Sequence, residues 1–233
     1  VVEPGTGKVL ALAQSTVYDT NQNPPPGHTA VNYNTPLRFG GSRGFPAGST
    51  FKPFTVLEWL KEGRSLREVV DGTPKTWEQR QFTGSCTGFG GAPWKLRNSE
   101  GGGRFMTVLD ATKNSVNNAF ADMASQVDMC GIFQGAEALG VTKANGEPLG
   151  ITPAAVIGTN EVAPLSMAAA FAAFSADGIY CDPVAITAIE DREGNPLPVP
   201  SANCRQPITP QLAAGVTYSL SQVWSGTASS IRR

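Results

Sequence analysis

Ser49 and Lys52 stand three residues apart in the string Ser49-Thr50-Phe51-Lys52. If a helix begins at Ser49, the two side chains lie one turn apart on one face, about 5–6 Å between Cβ atoms. That placement suits a hydroxyl nucleophile and an amine that takes its proton. A free lysine, with a pKa of about 10.4, keeps its proton near neutrality. Lys52 therefore works as a base only where burial or neighbouring cations lower that value, and Phe51 and Phe54 offer an apolar surround. Amides at a helix start would also aim positive charge at a developing acyl oxyanion. The spacing alone is common, and an N-cap serine followed by a surface lysine is the plain structural alternative.

A second polar pair is Ser115-Val116-Asn117. Residues two apart do not share a helix face, so a cooperating pair must sit in a turn. Asn114, Asn117 and Asn118 support a helix boundary there, because asparagine favours caps and turns. In the functional reading Ser115 relays a proton and Asn117 holds a substrate amide. Otherwise both are polar cap residues. The single histidine, His28, sits in a Pro-rich stretch and has no setting that suggests a Ser-His-Asp triad. Gly5-Thr6-Gly7-Lys8 lacks the first glycine and the final Ser/Thr of a phosphate loop and reads as a hairpin turn.

The elements that must position these residues are legible in outline. Residues 1–13 read as strand, tight turn, strand, with Pro4-Gly5 at the turn. Residues 19–48 read as a long ordered loop, rich in Pro, Asn and Gly. A core helix is expected from Ser49 to about Gly63, which serves as its stop. Further helices are expected over residues 106–127, 133–139, 162–176 and 209–223, and two strands over 179–200 with a turn at Glu193-Gly194-Asn195. No repeat or linker stands out, so the economical reading is one α/β domain.

Composition narrows the function classes. The 233 residues are 40% hydrophobic and 16% charged, enough to build a core; 26 glycines and 18 prolines predict many loops. Net charge is −1, from 18 basic and 19 acidic residues, with no basic footprint for nucleic acid and no basic amphipathic helix for a membrane surface. The longest apolar tract, residues 163–174, is too short to span a bilayer. Cys86, Cys130, Cys181 and Cys204 are widely spaced and have no histidine beside them, so no metal site is expected. Two disulfides in an oxidising compartment fit better. Of three possible pairings we favour Cys181 with Cys204, which flank the candidate hairpin, and Cys86 with Cys130; four buried free thiols are the alternative.

Taken together, S-x-x-K and Ser115-x-Asn117 match two of the three motifs of serine β-lactamases and penicillin-binding proteins. Residues 44–54 around Ser49 resemble the penicillin-binding protein nucleophile segment, and Tyr33-Asn34 resembles its approach. Residues 158–168, Gly158-Thr159-Asn160-Glu161 onward, are similar to the family's central helix motif. Gly226-Thr227-Ala228 resembles the segment shortly before the third motif, and residues 3–9 resemble the first hairpin of the transpeptidase sheet. The flavour is that of bifunctional class A enzymes, actinobacterial or mycobacterial.

The resemblance implies a serine-β-lactamase/transpeptidase-like α/β (α+β) fold: an antiparallel sheet with flanking helices and a helical subdomain, over residues 1–233. It implies a D,D-transpeptidase that cross-links peptidoglycan stem peptides through a Ser49 acyl-enzyme and is acylated there by β-lactam antibiotics. Lys52 would be the base, Ser115 the relay and Asn117 the substrate-binding amide, with no metal or organic cofactor and no nucleic acid. A β-lactamase or D,D-carboxypeptidase of the same fold is one alternative, although Glu161 lies in the transpeptidase-like stretch. A non-catalytic β-lactam-sensing domain is another. No Lys-Thr-Gly occurs. The expectation is therefore that the sequence is a fragment or, as we favour, that the C-terminal strands belong to another polypeptide that carries this motif, cut after Arg232-Arg233, and that the chain alone is inactive. An extracytoplasmic domain, anchored to the plasma membrane by a segment before Val1, is also expected.

Overall fold

Six helices follow one another in chain order among the described residues of a computed structural model: α1 (Lys52–Lys61), α2 (Val108–Lys113), α3 (Asn117–Ala124), α4 (Met129–Ala138), α5 (Pro164–Phe174) and α6 (Pro210–Ser221). Residues 1–99 and 101–231 are described, so the expected cleavage site at Arg232-Arg233 lies outside them. The chain divides into two compact units. One comprises Val1–Phe45, Leu139–Pro148 and Glu161–Thr209; the other comprises Pro46–Ala138, Leu149–Asn160 and Pro210–Arg233.

In the second unit α1 is the core element. Phe51, Phe54, Val56, Leu57 and Trp59 are all fully or almost fully buried, as expected of a helix apolar all round. It packs against α3, α4 and α6. Two glycines permit that approach: a Cβ at Gly131 of α4 would strike the Glu58 carboxylate, and one at Gly215 of α6 would lie 2.7 Å from Leu60 Cδ1. The expected stop is present. Gly63, at φ 80°, donates its N–H to Leu60 O, and Arg64 donates to Trp59 O, the two bonds of a Schellman motif.

The start of α1 differs from the expectation. A 3-10 turn covers Gly48–Phe51 and the α-helix begins only at Lys52. Such turns are frequent at helix N-termini, and Pro53 costs nothing in the first α turn, where its missing N–H would have no partner. Helix α4 begins at Met129, earlier than expected, because the Asp128 carboxylate accepts from the N–H groups of Cys130 and Ser85. Cys86 and Cys130 are joined by a disulfide beside that cap. The expected helix over 106–127 is divided: Phe105–Thr107 pairs antiparallel with Val69–Asp71, and α2 and α3 follow, separated at Ser115.

In the first unit α5 packs against the strand Asn32–Pro36, which pairs in parallel with Gly41–Ser42. The stretch 19–48, expected to be a loop, thus contains short paired strands, and its His28–Thr29 pairs with Val17–Tyr18 just before it. The expected N-terminal hairpin reduces to a single bridge between Val2 and Val9 around a turn with Gly5 and Gly7 at φ 73°. The expected strands over 179–200 reduce to Ile189–Glu190 with Pro196–Leu197, the Asp191 carboxylate closing their turn on Asn195. A disulfide joins Cys181 to Cys204. Every paired sheet among the described residues has two strands, so the fold is mixed α/β with its β component in short pairs.

Candidate active site

Ser49, Lys52, Ser115 and Asn117 all belong to the second unit. The turn that carries Ser49 is held by backbone contacts. Gly48, at φ 56°, donates to Gly158 O at 2.9 Å and Ala47 donates to Asn160 O at 3.1 Å. A Cβ at Gly158 would collide with the Gly48 backbone, so only glycine fits there. The Asn160 side chain is buried and exchanges two hydrogen bonds with the Gly150 backbone, 2.8 and 3.0 Å, fixing this support. Ser49 itself is exposed, and among the described residues its hydroxyl makes no hydrogen bond.

One turn on, Lys52 is only 3% exposed. Its ammonium donates to Ser115 O at 2.7 Å, Ser115 Oγ at 2.8 Å and Asn117 Oδ1 at 2.7 Å. The Phe120 ring stands 5.2 Å away. Among the described residues no charged group faces the ammonium, so desolvation dominates and pushes Lys52 down to about 7. Near neutral pH about half of the lysine is then the free amine.

The cage restricts what happens when the proton leaves. A lysine ammonium has three donors and no acceptor, and all three are in use. Ser115 O is an acceptor only, and Asn117 Oδ1 is likewise. Ser115 Oγ can reverse its role, so in this cage it is the group able to donate to the lone pair of a neutral Lys52. Rotation of that one hydroxyl reverses its bond to Nζ, so Oγ can take a proton from the lysine only while handing its own to a further acceptor.

Ser115 holds this place at a cost. Its φ is 52°, its N–H donates to Thr112 O, and Val116 donates to Ala111 O. It is the left-handed residue of the Schellman motif that ends α2, a position usually given to glycine. A non-glycine residue there stores backbone strain, and such outliers point to function. Asn117 begins α3. Besides accepting from Lys52, it donates through Nδ2 to Arg97 O at 2.9 Å, which leaves one N–H and one lone pair of its amide for another partner.

A cleft of about 310 Å³ opens beside Ser115, lined also by Asn98, Asn114 and Thr227. Thr227 comes from the Gly226-Thr227-Ala228 segment, whose Thr227 N–H donates to Lys113 O at 3.2 Å. The sequence reading missed Asn98 and Asn118, which support the turn and are treated below. Asn118 carried a signal, as the third asparagine of the 114–118 cluster; Asn98 carried none. His28 lies in the other unit, 3.4 Å from Asp19 Oδ2, and no serine hydroxyl bonds to it. Among the described residues no cluster of His, Cys, Asp and Glu is arranged to hold a metal ion.

The penicillin-binding protein transpeptidase domain family matches residues 1–233, and so runs through both units. Peptidoglycan D,D-transpeptidase PbpA of Mycolicibacterium smegmatis is 27% identical over 246 residues, covering 93% of this chain and 48% of its own length. The PbpA of Mycobacterium tuberculosis is 32% identical over 148 residues, covering 59% of this chain and 27% of its own. The chain therefore spans about half the length, or less, of these curated relatives. Penicillin-binding protein A of M. tuberculosis, solved as an imipenem acyl-enzyme complex, superposes with a TM-score of 0.73 at 21% identity, over 96% of this chain and 56% of that one. The transpeptidase domain of a peptidoglycan glycosyltransferase from Eggerthella lenta superposes with a TM-score of 0.66 at 21% identity, over 86% of this chain and 52% of that one. At these identities the structures show a shared fold.

Proposed function

We propose a function from the premise that this chain belongs to the penicillin-binding protein transpeptidase domain family: it is the acylating part of a peptidoglycan D,D-transpeptidase. Both units form one transpeptidase domain in this reading, because the family match runs through both. The observation that carries the chemistry is Lys52, buried and bonded to Ser115 and Asn117.

In the first step the neutral Lys52 amine takes the Ser49 proton as Oγ attacks the penultimate D-Ala carbonyl of a stem peptide. A C–O bond forms and the peptide C–N bond breaks. The proton passes from Lys52 through Ser115 Oγ to the departing amine, and terminal D-Ala leaves. An amine of a neighbouring stem then displaces Ser49 from the ester, which completes the cross-link. Asn117 binds the donor peptide with the N–H and lone pair it has left. A β-lactam enters by the same attack, but its leaving amine stays tethered. The reading includes a Lys-Thr-Gly segment supplied from outside these 233 residues, which contain none. It also includes an extracytoplasmic location, at the cell wall where the substrate is.

Labelled penicillin tests the assignment. Long-lived labelling that disappears in Ser49→Ala supports it, and labelling that survives that substitution overturns it. Rapid turnover of the label would instead indicate a β-lactamase. Stable labelling without cross-linking of stem peptides would indicate a sensor.

A further inference from the structure

Behind the Lys52 cage lies a second pair of asparagines that the mechanism does not use. Asn118 is completely buried. Its Oδ1 accepts from Trp77 Nε1 at 3.1 Å and Lys75 N at 3.3 Å; its Nδ2 donates to Asn98 Oδ1 at 3.1 Å and Leu96 O at 3.4 Å. Asn98 Oδ1 also accepts from the Asn118 backbone N–H at 2.9 Å, and Asn98 Nδ2 donates to Gly72 O at 2.8 Å and Gly102 O at 3.3 Å. A carboxamide has two donors and two acceptor lone pairs, and both side chains use all four. Burying the Asn118 amide, with the half-buried Asn98 amide against it, is costly unless every position is bonded, and an apolar side chain at 118 would fill the space without that demand. What the amides add is direction: they fix the register of one segment on another.

The segments fixed are those that hold the lysine. Arg97 and Asn98 run beside Asn117 and Asn118, joined by Asn117 Nδ2 to Arg97 O and by Asn118 N to Asn98 Oδ1. We propose that Asn98 and Asn118 are positioning residues for acyl transfer: their paired amides lock the start of α3, and with it Asn117 and Ser115, in the register that cages the Lys52 amine. Neither touches Lys52. The role in acyl transfer rests on the functional reading above, whereas the effect on Lys52 does not.

Desolvation alone holds Lys52 near 7, and what faces Nζ is Ser115, Asn117 and the Phe120 ring. Slack in the turn would admit water, and the lysine would move toward its ordinary value. The experiment titrates Lys52 by NMR of 13Cε-labelled lysine in the whole protein and measures penicillin acylation in parallel. In Asn98→Ala the Lys52 midpoint is expected to rise by a unit or more, and acylation at pH 7 to fall by about fivefold or more through loss of neutral amine. Raising the pH to 9 should recover most of that loss. Asn98→Ser, which keeps a hydroxyl for the Asn118 N–H, provides a milder variant should the alanine form fail to fold, and should show a smaller rise. Gly63→Ser, a destabilising change in the same unit, should lower the melting temperature and leave the midpoint alone. An Asn98 variant that folds with an unmoved midpoint overturns the proposal, whatever its melting temperature. If penicillin does not acylate the wild type, the functional reading fails, and the titration still decides the clamp.

Discussion

At the end of α1 the left-handed residue is Gly63; at the end of α2 it is Ser115. The two turns share one pair of closing hydrogen bonds, Gly63 N to Leu60 O with Arg64 N to Trp59 O, and Ser115 N to Thr112 O with Val116 N to Ala111 O. The glycine adopts φ 80° without steric penalty, and nothing lies within 4 Å of where its Cβ would be. The serine bears the strain of its Cβ and returns a hydroxyl and a carbonyl to Lys52. The same backbone device is thus optimised for stability in one place and compromised for chemistry in the other. The residue that breaks the local preference is the one whose hydroxyl and carbonyl hold the buried lysine.

Removing the lysine should have the largest effect. In Lys52→Met, Ser115 O, Ser115 Oγ and Asn117 Oδ1 lose their shared donor, and acylation by penicillin should fall about a thousandfold or more in a stopped-flow assay. Near-normal acylation would mean that another group activates Ser49.

Ser115→Gly comes next and separates the two roles of the turn. It turns the end of α2 into a copy of the end of α1, so stability should be unchanged or rise by up to about 1 kcal/mol in urea unfolding. Acylation should nevertheless drop by about a hundredfold. A variant that is less stable, or that acylates normally, breaks the comparison.

The pH dependence is of intermediate size. Acylation needs the neutral amine, so its rate should climb with pH and level off above about 7, where Lys52 has lost its proton. Stability should follow from the same value. Lys52 is lower in the folded chain than in the unfolded one, where it is about 10.4. Between those values the unfolded state binds the extra proton, so stability rises with pH across that window. Lys52→Met should lack that rise, and an equal rise in both proteins would contradict the assignment.

Gly63→Ser should have the smallest effect. It places a Cβ at φ 80°, at a cost of about 1 kcal/mol, and should leave the acylation rate where it was. A change in rate would show that the end of α1 reaches the site after all.

Much of this was readable from residue types and spacing, and the comparison of turns shows why some was not. Gly63 announces a helix stop because glycine prefers φ > 0, and residue type predicts the conformation there. Ser115 announces none. Its turn was legible only through the asparagines around it, which place the boundary between α2 and α3 correctly, whereas the mainly helical reading of 106–127 missed the strand Phe105–Thr107. Ser49 was expected as the first residue of the core helix and stands in a 3-10 turn, held by Gly48 and Gly158. That support is a backbone contact across the sequence, and side-chain patterns do not record it. Asn98 was invisible for a similar reason, since its partners at Gly72 and Asn118 are brought to it by tertiary structure alone. The strands fared worst, because ladders of two or three residues leave too little alternation to read.

The burial of Lys52 also governs when the protein becomes reactive. The partners that cage its amine lie 63 and 65 residues along the chain, so the cage closes only after a long-range loop has formed. Until then the lysine is hydrated, and at neutral pH only about one such side chain in 2,500 lacks its proton. A nascent or half-assembled chain therefore holds Ser49 in a chemically quiet form, whatever carbonyl comes near. In the proposed mechanism, closing this cage is thus one condition for reactivity that folding itself imposes.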